Sequence, residues 1–219
     1  MLFRKLILAV ACAALVAGCN PERVPQKIDI GRLQSVKSTF GPDYKVVSTG
    51  PTGINPRLLA PQTAPPGVTF DPADCAKYAS GQTLPPGLKG NMAAVSAEGA
   101  GNRFIAIALE TSEPVPFDSA TTNKCRHVTF TGGPVHGVVD VIDAPHIDRA
   151  QTLGLHRVLE ATIKGTVRSG ELYSYTAYLG NCLVLTTANP LVVPNQPMGP
   201  VNVQRAQKLF TDAVAAVRR

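Results

Sequence analysis

The stretch LYSYTAYLGNCLVLTTAN, residues 172–189, decides the fold, because it holds two strand-like runs joined by a turn of two residues. Gly180 and Asn181 form this turn, since both residue types tolerate the positive φ angles of a tight hairpin. The turn fixes the register through three cross-strand pairs: Leu179 with Cys182, Ala177 with Val184, and Tyr175 with Thr186. A slip of one residue would turn every side chain to the opposite face.

One face of this hairpin carries four side chains, Tyr173, Tyr175, Cys182 and Val184. Apolar walls with a few polar tips suit small ligands, so a cleft lined by Tyr173 and Tyr175 is the ligand-binding site that we expect. Cys182, beside the turn, is expected to be buried as a small apolar side chain. A reactive thiol at Cys182 is the alternative.

Other strands surround the hairpin. They are predicted for residues 44–48, 103–109, 125–131, 135–142 and 155–167. The segment 103–109 is apolar on both faces, which is typical of a central strand covered on both sides. The segments 125–131 and 135–142 are separated by a Gly-Gly-Pro turn, as in an antiparallel pair.

Two longer helices flank the strands. Asp29 caps the first, in which Ile30, Leu33, Val36 and Phe40 recur at helical spacing. Asn202 caps the last, whose apolar stripe is Val203, Ala206, Phe210, Ala213 and Val217. The last helix either docks on the sheet or lies on a membrane or a partner. We therefore expect a single α+β domain over residues 28–219, with a mostly antiparallel sheet packed by the N- and C-terminal helices.

Residues 50–74 are the least regular part of the chain, because prolines interrupt them repeatedly. Proline removes donors from a strand ladder, so we expect a long loop over one face, or a linker between domains. Asp71 and Pro72 then indicate the start of a short helix that ends near Gly81.

The N-terminus has the parts of a secretory signal over residues 1–18: basic Arg4 and Lys5, then an apolar run of about a dozen residues. That run is too short for a bilayer with a hydrocarbon core of about 30 Å. It ends in Leu-Val-Ala-Gly-Cys, the pattern of a bacterial lipobox, which predicts diacylglycerol on Cys19. The alternative is a plain secreted protein with a cysteine that follows the cleavage site by chance.

Residues 19–27 then form a tether that holds the domain at the extracytoplasmic face of the cell membrane. Its last eight residues reach about 26 Å when fully extended. Without Arg4 and Lys5, 19 basic residues face 15 acidic ones, a net charge of +4. This weak excess has no basic cluster interleaved with aromatic residues, so nucleic acid is not an expected partner.

Three cysteines remain for the domain, Cys75, Cys125 and Cys182, in an oxidising compartment where pairing is expected. Cys75 with Cys125, or Cys125 with Cys182, would close loops of similar size, so loop entropy does not choose between them. Burial of Cys182 favours a disulfide between Cys75 and Cys125.

Catalytic and metal-binding motifs are missing from the sequence, so we expect no enzyme activity, no cofactor and no metal. His127, two residues after Cys125 on a strand, would form a nucleophilic pair only with a free thiol. His136, His146 and His156 are ten residues apart, a spacing unlike that of zinc ligands. Asp140 and Asp143 fall on opposite faces of a strand.

The lipobox, the DPADC motif at 71–75 and YLGNCLVLTTANP at 178–190 before an amphipathic helix resemble the mycobacterial lipoproteins of the DUF5642 family. That family is distantly similar to the extracytoplasmic sensor domains of PknH-like receptor kinases. The resemblance implies a cell-envelope lipoprotein with a compact α+β fold and a ligand-binding cleft. The kinase sensor domains have two disulfides, whereas this chain has cysteines for one.

These features predict a lipid-anchored, non-catalytic domain of the cell envelope that binds a small molecule or an envelope protein. The alternative is a structural or accessory protein that acts through protein contacts. A cleft would favour the first function, and a flat apolar patch would favour the second.

Overall fold

The computed structural model describes residues 27–55, 67–80, 84, 88–163, 165–192 and 198–218. They form one open antiparallel sheet of nine strands in the order β1-β3-β4-β9-β8-β7-β6-β5-β2. The strands are β1 Lys45–Gly53, β2 Thr69–Asp71, β3 Gly90–Gly99, β4 Asn102–Thr111, β5 His127–Gly132, β6 Val135–Ile142, β7 Gln151–Ile163, β8 Thr166–Tyr178 and β9 Cys182–Pro190. The predicted antiparallel sheet is confirmed. The signal, the lipobox and Cys19 lie outside the described residues.

Four helices accompany the sheet in the described part of the chain: α1 Ile30–Thr39, α2 Ala76–Ala79, α3 Ser119–Lys124 and α4 Val203–Val217. A short turn, Ala73–Cys75, leads into α2. Helix α1 is a 3-10 helix whose buried residues Ile30, Leu33 and Val36 are three apart. This spacing matches the three residues per turn of a 3-10 helix, so the apolar residues form one line. Asp29 caps α1 by accepting a hydrogen bond from the Gly31 amide.

Helix α4 docks on the sheet, and it packs against β4, β8, β9 and α1. Its buried residues are Ala206, Leu209, Phe210, Ala213, Val214, Ala216 and Val217. The Arg205 guanidinium lies over the Phe40 ring, 4.5 Å from the ring centre, and donates to the Thr39 carbonyl at 2.7 Å. The two terminal helices are therefore joined to one another as well as to the sheet.

The Gly180-Asn181 turn joins β8 and β9 in the predicted register, with Ala177 opposite Val184 and Tyr175 opposite Thr186. Gly180 has a φ of +74°, which a residue with a Cβ rarely adopts. The register places Tyr175 and Cys182 in the core beneath α4. The central position of β4 is also confirmed, because its neighbours are β3 and β9.

The prediction for residues 50–74 is wrong in part. Strand β1 continues through Pro51 to Gly53, and β2 occupies Thr69–Asp71. Both are edge strands, where a missing amide donor is tolerated, and the β1 register shifts between Thr49 and Thr52. Residues 56–66 and Gly81 lie outside the described part.

Two strand boundaries also differ from the prediction. Cys125 follows the last turn of α3, and its amide donates to the Thr121 carbonyl, so β5 begins only at His127. Cys125 and His127 therefore do not share a strand. The predicted strand over 155–167 is interrupted by a turn, since β7 ends at Ile163 and β8 begins at Thr166. Among the described helices, none is both long and apolar enough to cross a membrane.

Candidate functional site

A cavity of about 380 Å³ lies on the face of the sheet opposite α4. Its floor is formed by alternate residues of three neighbouring strands. Val139 of β6 pairs with Arg157 of β7, which pairs with Leu172 of β8. Leu155 and Ser174 form the adjacent pair on the same face. The side chains of β7 and β8 that line the cavity are only half-buried, and they form a mostly apolar floor.

The first wall consists of α2 and α3, which the Cys75–Cys125 disulfide joins. An ion pair between Asp74 and Lys124 links the turn that precedes α2 to the end of α3. The Arg157 guanidinium connects this wall to the floor, because it donates to the carbonyl of Ala79 at 2.7 Å. Two helices too short to be stable alone are thereby held over the strands.

The opposite wall is the segment Val115, Pro116 and Phe117, which precedes α3. The Phe117 ring packs on Tyr178, with the ring centres 5.2 Å apart. The Val115 amide donates to the carbonyl of Gly180 at 3.4 Å. The tight turn between β8 and β9 therefore also holds this wall in place.

Four charged residues line the cavity: Asp74, Lys77, Asp118 and Arg157. Asp118 caps α3, accepting from the Thr121 amide at 2.9 Å and from the Thr121 hydroxyl at 2.6 Å. The Thr121 hydroxyl holds the pKa of the Asp118 carboxyl below its usual value, and Lys124 lowers the pKa of Asp74 in the same way. Asp74 is paired with the cation of Lys124, whereas Asp118 keeps its negative charge because its partner Thr121 is neutral.

Burial shifts the pKa values of two of the lining residues, Arg157 and Tyr78. It lowers the pKa of Arg157, because the low-dielectric surroundings disfavour the charged form. It also raises the pKa of Tyr78, a residue of α2 that lines the cavity. Both side chains are half-buried, so the end of the cavity where Arg157 lies is partly shielded from solvent.

The predicted pairing of Cys75 with Cys125 agrees with the disulfide in the structure, and Cys182 is a free cysteine. Cys182 is 2% exposed, and burial raises the pKa of its thiol to about 12. Such a thiol is inert, as a buried structural cysteine should be.

Tyr173 and Tyr175 lie on the other face of β8 from the cavity. Tyr175 is buried against Phe210 of α4, with the ring centres 5.8 Å apart. Tyr173 stacks on His156 at 4.2 Å. Neither residue lines the cavity, because odd-numbered residues of β8 face α4 and even-numbered ones face the cavity.

Three histidines of the strands, His127, His136 and His156, lie on that second face as well. His127 contacts Asp140 at 2.6 Å, and His136 contacts Glu160 at 2.8 Å, each across neighbouring strands. Cys125 is oxidised in the disulfide with Cys75, so it cannot supply the free thiol that a nucleophilic pair with His127 would need. In the described ranges, no group of three His, Cys, Asp or Glu residues is arranged to hold a metal ion.

Sequence reasoning missed Arg157, Phe117 and Asp118. One available signal was the position of Arg157 among Leu153, Leu155 and Leu159, where alternation places an arginine on an apolar face. A second was Asp118 before the segment Ser119–Lys124, an N-cap residue at the start of a helix. The closing of the two walls over the floor has no local sequence signal.

Comparison with solved structures gives two matches. The first is the X-ray structure of an uncharacterized protein, the Rv0999 ortholog from Mycobacterium smegmatis, with a TM-score of 0.81 and 50% identity over 90% of this chain and 100% of that chain. The second is the extracellular domain of PknH from Mycobacterium tuberculosis, with a TM-score of 0.40 and 14% identity over 87% and 93% of the two chains.

Among curated protein sequences, none matches this chain. The family model DUF5642, a domain of unknown function, matches residues 29–218. This range spans nearly the whole predicted domain, from the cap of α1 to the residue that follows α4. The chain therefore belongs to the DUF5642 family, in agreement with the resemblance found in its sequence.

Proposed function

We propose that the protein is a lipid-anchored binding protein of the extracytoplasmic face, and that the cavity between α2, α3 and β6 to β8 binds a small molecule. The cavity itself is the observation that carries this proposal. Its volume of about 380 Å³ falls in the range of small-molecule sites. Its walls are mainly apolar, with Ser174, Tyr78 and Arg157 as polar groups that can orient a ligand.

The positions of the exposed apolar residues do not favour the alternative function, a protein that acts by docking to other proteins through a flat apolar surface. Among the described residues, the large exposed apolar side chains are Val47, Val167, Val192 and Met198. They belong to β1, to the start of β8 and to the segment between β9 and α4. A docking surface for another protein would be expected to gather such side chains in one patch.

The disulfide supports the proposed location. Disulfides persist in oxidising compartments outside the cytoplasm, and this one joins the two helices of one cavity wall. The lipobox that ends at Cys19 supplies the proposed anchor. The domain would then bind its ligand close to the membrane, because the tether is short.

A neutral dye, Nile red, tests the binding function. Ser174→Phe places a large ring on the cavity floor, whereas Ser169→Phe makes the same change on an exposed position of the same strand, on the opposite face. We expect saturable binding of one dye per chain, at least ten-fold weaker in Ser174→Phe and unchanged in Ser169→Phe. Equal binding by the two variants, or no saturable binding, would refute the proposed site.

The anchor has a separate test. Mass analysis of the membrane-extracted protein should find diacylglycerol on Cys19, and a Cys19→Ala form should leave the membrane fraction. Normal membrane retention of that variant would contradict the anchor and leave the cavity test unaffected.

A further inference from the structure

The cavity differs chemically between its two ends. Along β7, Leu153 lies at the end near Tyr178 and Phe117, and Arg157 lies at the end near α2. Four residues of an extended strand separate these positions by about 13 Å. One end is therefore lined mainly by apolar side chains, with the Asp118 carboxylate beside Phe117, and the other contains a guanidinium group.

The cationic end contains Lys77 as well as Arg157. Lys77 lies on α2, the helix whose Ala79 carbonyl accepts from Arg157. In the described part of the chain, Lys77 has no ion-pair partner. Asp74, also at this end, is paired with Lys124, so the local charge available to a ligand is positive.

The shape of the arginine group specifies a ligand chemistry. A guanidinium presents its N–H donors as a planar fork that matches the two oxygens of a carboxylate or a phosphate. Half-burial strengthens such a contact, since water competes less for the charge. Asp118 keeps its charge, but it follows Phe117 in the chain and so lies toward the other end of the cavity, away from Arg157.

We propose that the ligand is an anionic amphiphile, with its carboxylate or phosphate head group on Arg157 and Lys77 and its apolar chain between Phe117, Leu153 and Tyr178. This inference rests on the proposed function, since it names the ligand class of the same cavity. It adds a direction of binding, with the head group toward α2 and the tail toward the turn between β8 and β9.

Calorimetry with a series of ten-carbon compounds tests the ligand class. The protein is the mature chain from residue 19 with Cys19→Ala, and every compound is kept below its micelle concentration. Decanoate or decyl phosphate should bind at least ten-fold more tightly than decanol and decyltrimethylammonium. The stronger of the two anions identifies the head group, while inorganic phosphate and acetate should bind far more weakly than either.

Two variants assign the head-group contact. Arg157→Gln should reduce the affinity for the anion at least ten-fold and leave that for decanol within two-fold, and Lys77→Gln should have a smaller effect in the same direction. Arg168→Gln is the matched control, because it removes the same charge from an exposed position on β8. If Arg157→Gln fails to fold, Lys77→Gln and the ligand series with the wild type still test the anionic ligand class. Lys77 is exposed, so its substitution should leave the fold intact.

The outcomes separate the two proposals. If decanol binds as tightly as decanoate and Ser174→Phe abolishes both, the cavity binds ligands but the anionic class is wrong. If inorganic phosphate binds as well as decyl phosphate, the amphiphile is wrong. If neither the ten-carbon series nor Nile red binds, the proposed function itself fails.

Discussion

Two halves of the same sheet are packed very differently. In the covered half, strands β3, β4 and β9, both faces are buried, and all but one residue of β9 are buried. In the cavity half, strands β6, β7 and β8, most side chains of β7 are only half-buried. Helices α1 and α4 seal one face of the covered half, whereas α2 and α3 stand over the cavity half and leave space.

This difference separates stability from binding. A buried side chain in a close-packed region contributes its transfer free energy and fills space that would otherwise be a void. A half-buried side chain on a cavity floor contributes less to folding and is available to a ligand. Substitutions in the covered half should therefore reduce stability, and substitutions in the cavity half should mainly reduce binding.

The largest expected effect concerns the core. Phe210→Ala removes a fully buried ring that packs on Tyr175, so it should lower the free energy of unfolding by about 3–5 kcal/mol. Leu172→Ala on the cavity floor should lower the free energy of unfolding clearly less than Phe210→Ala does, but it should weaken Nile red binding. Urea unfolding measures the first quantity. An equal loss of stability in both variants would remove the distinction between the halves.

The disulfide should give the next largest effect. Replacing both Cys75 and Cys125 by Ser frees a loop with a sequence separation of 50, and should cost about 2–4 kcal/mol of unfolding free energy. It should also weaken dye binding, because α2 and α3 lose their covalent link. Cys182→Ala is the control for removing a cysteine, and its dye binding should match that of the wild type. Unchanged binding in the double variant would show that the wall does not depend on the disulfide.

A smaller effect concerns the cap of α3. The pKa of Asp118 is lowered in the folded state, so its contribution to stability is present above the ordinary aspartate pKa of about 3.9 and is lost as the pH falls through the folded-state value. The free energy of unfolding of the wild type, measured in urea, should therefore fall more steeply below about pH 4 than that of Asp118→Asn. The asparagine keeps an acceptor oxygen but does not titrate. Asp43→Asn serves as an exposed control. Identical pH profiles of wild type and Asp118→Asn would exclude this role.

The smallest expected signal is the reaction of the Cys182 thiol in the native domain. Since burial raises its pKa to about 12, the native domain should not react with a thiol reagent at pH values near neutrality. Unfolding without reduction should expose one thiol in the Cys19→Ala chain from residue 19. A count of three would contradict the disulfide, and fast reaction of the native protein would contradict the burial of Cys182.

Local sequence signals predicted much of the covered half. The Gly180-Asn181 turn gave the register of β8 and β9, and Asp29 and Asn202 marked the starts of α1 and α4. Strand β3 was missed because Ala93, Ala94 and Ala97 have low strand propensity. Its ten residues are extended because they pair with β4 along their whole length.

The cavity was predicted far less well, because its parts come together only in the folded chain. Ala79 and Arg157, which join wall and floor, are 78 residues apart in sequence. Hydrophobic alternation showed that Tyr173 and Tyr175 share a face, but not that α4 covers this face at Tyr175. Which side of a sheet remains open depends on where the helices dock, and no short stretch of sequence contains that information.

A crystal structure with 10-bromodecanoate tests the central claim most directly. The anomalous signal of bromine should lie between Phe117 and Leu153, with the carboxylate within hydrogen-bond distance of Arg157. Bromine found only on the α4 face of the sheet, or a carboxylate pointing toward the turn between β8 and β9, would contradict the account.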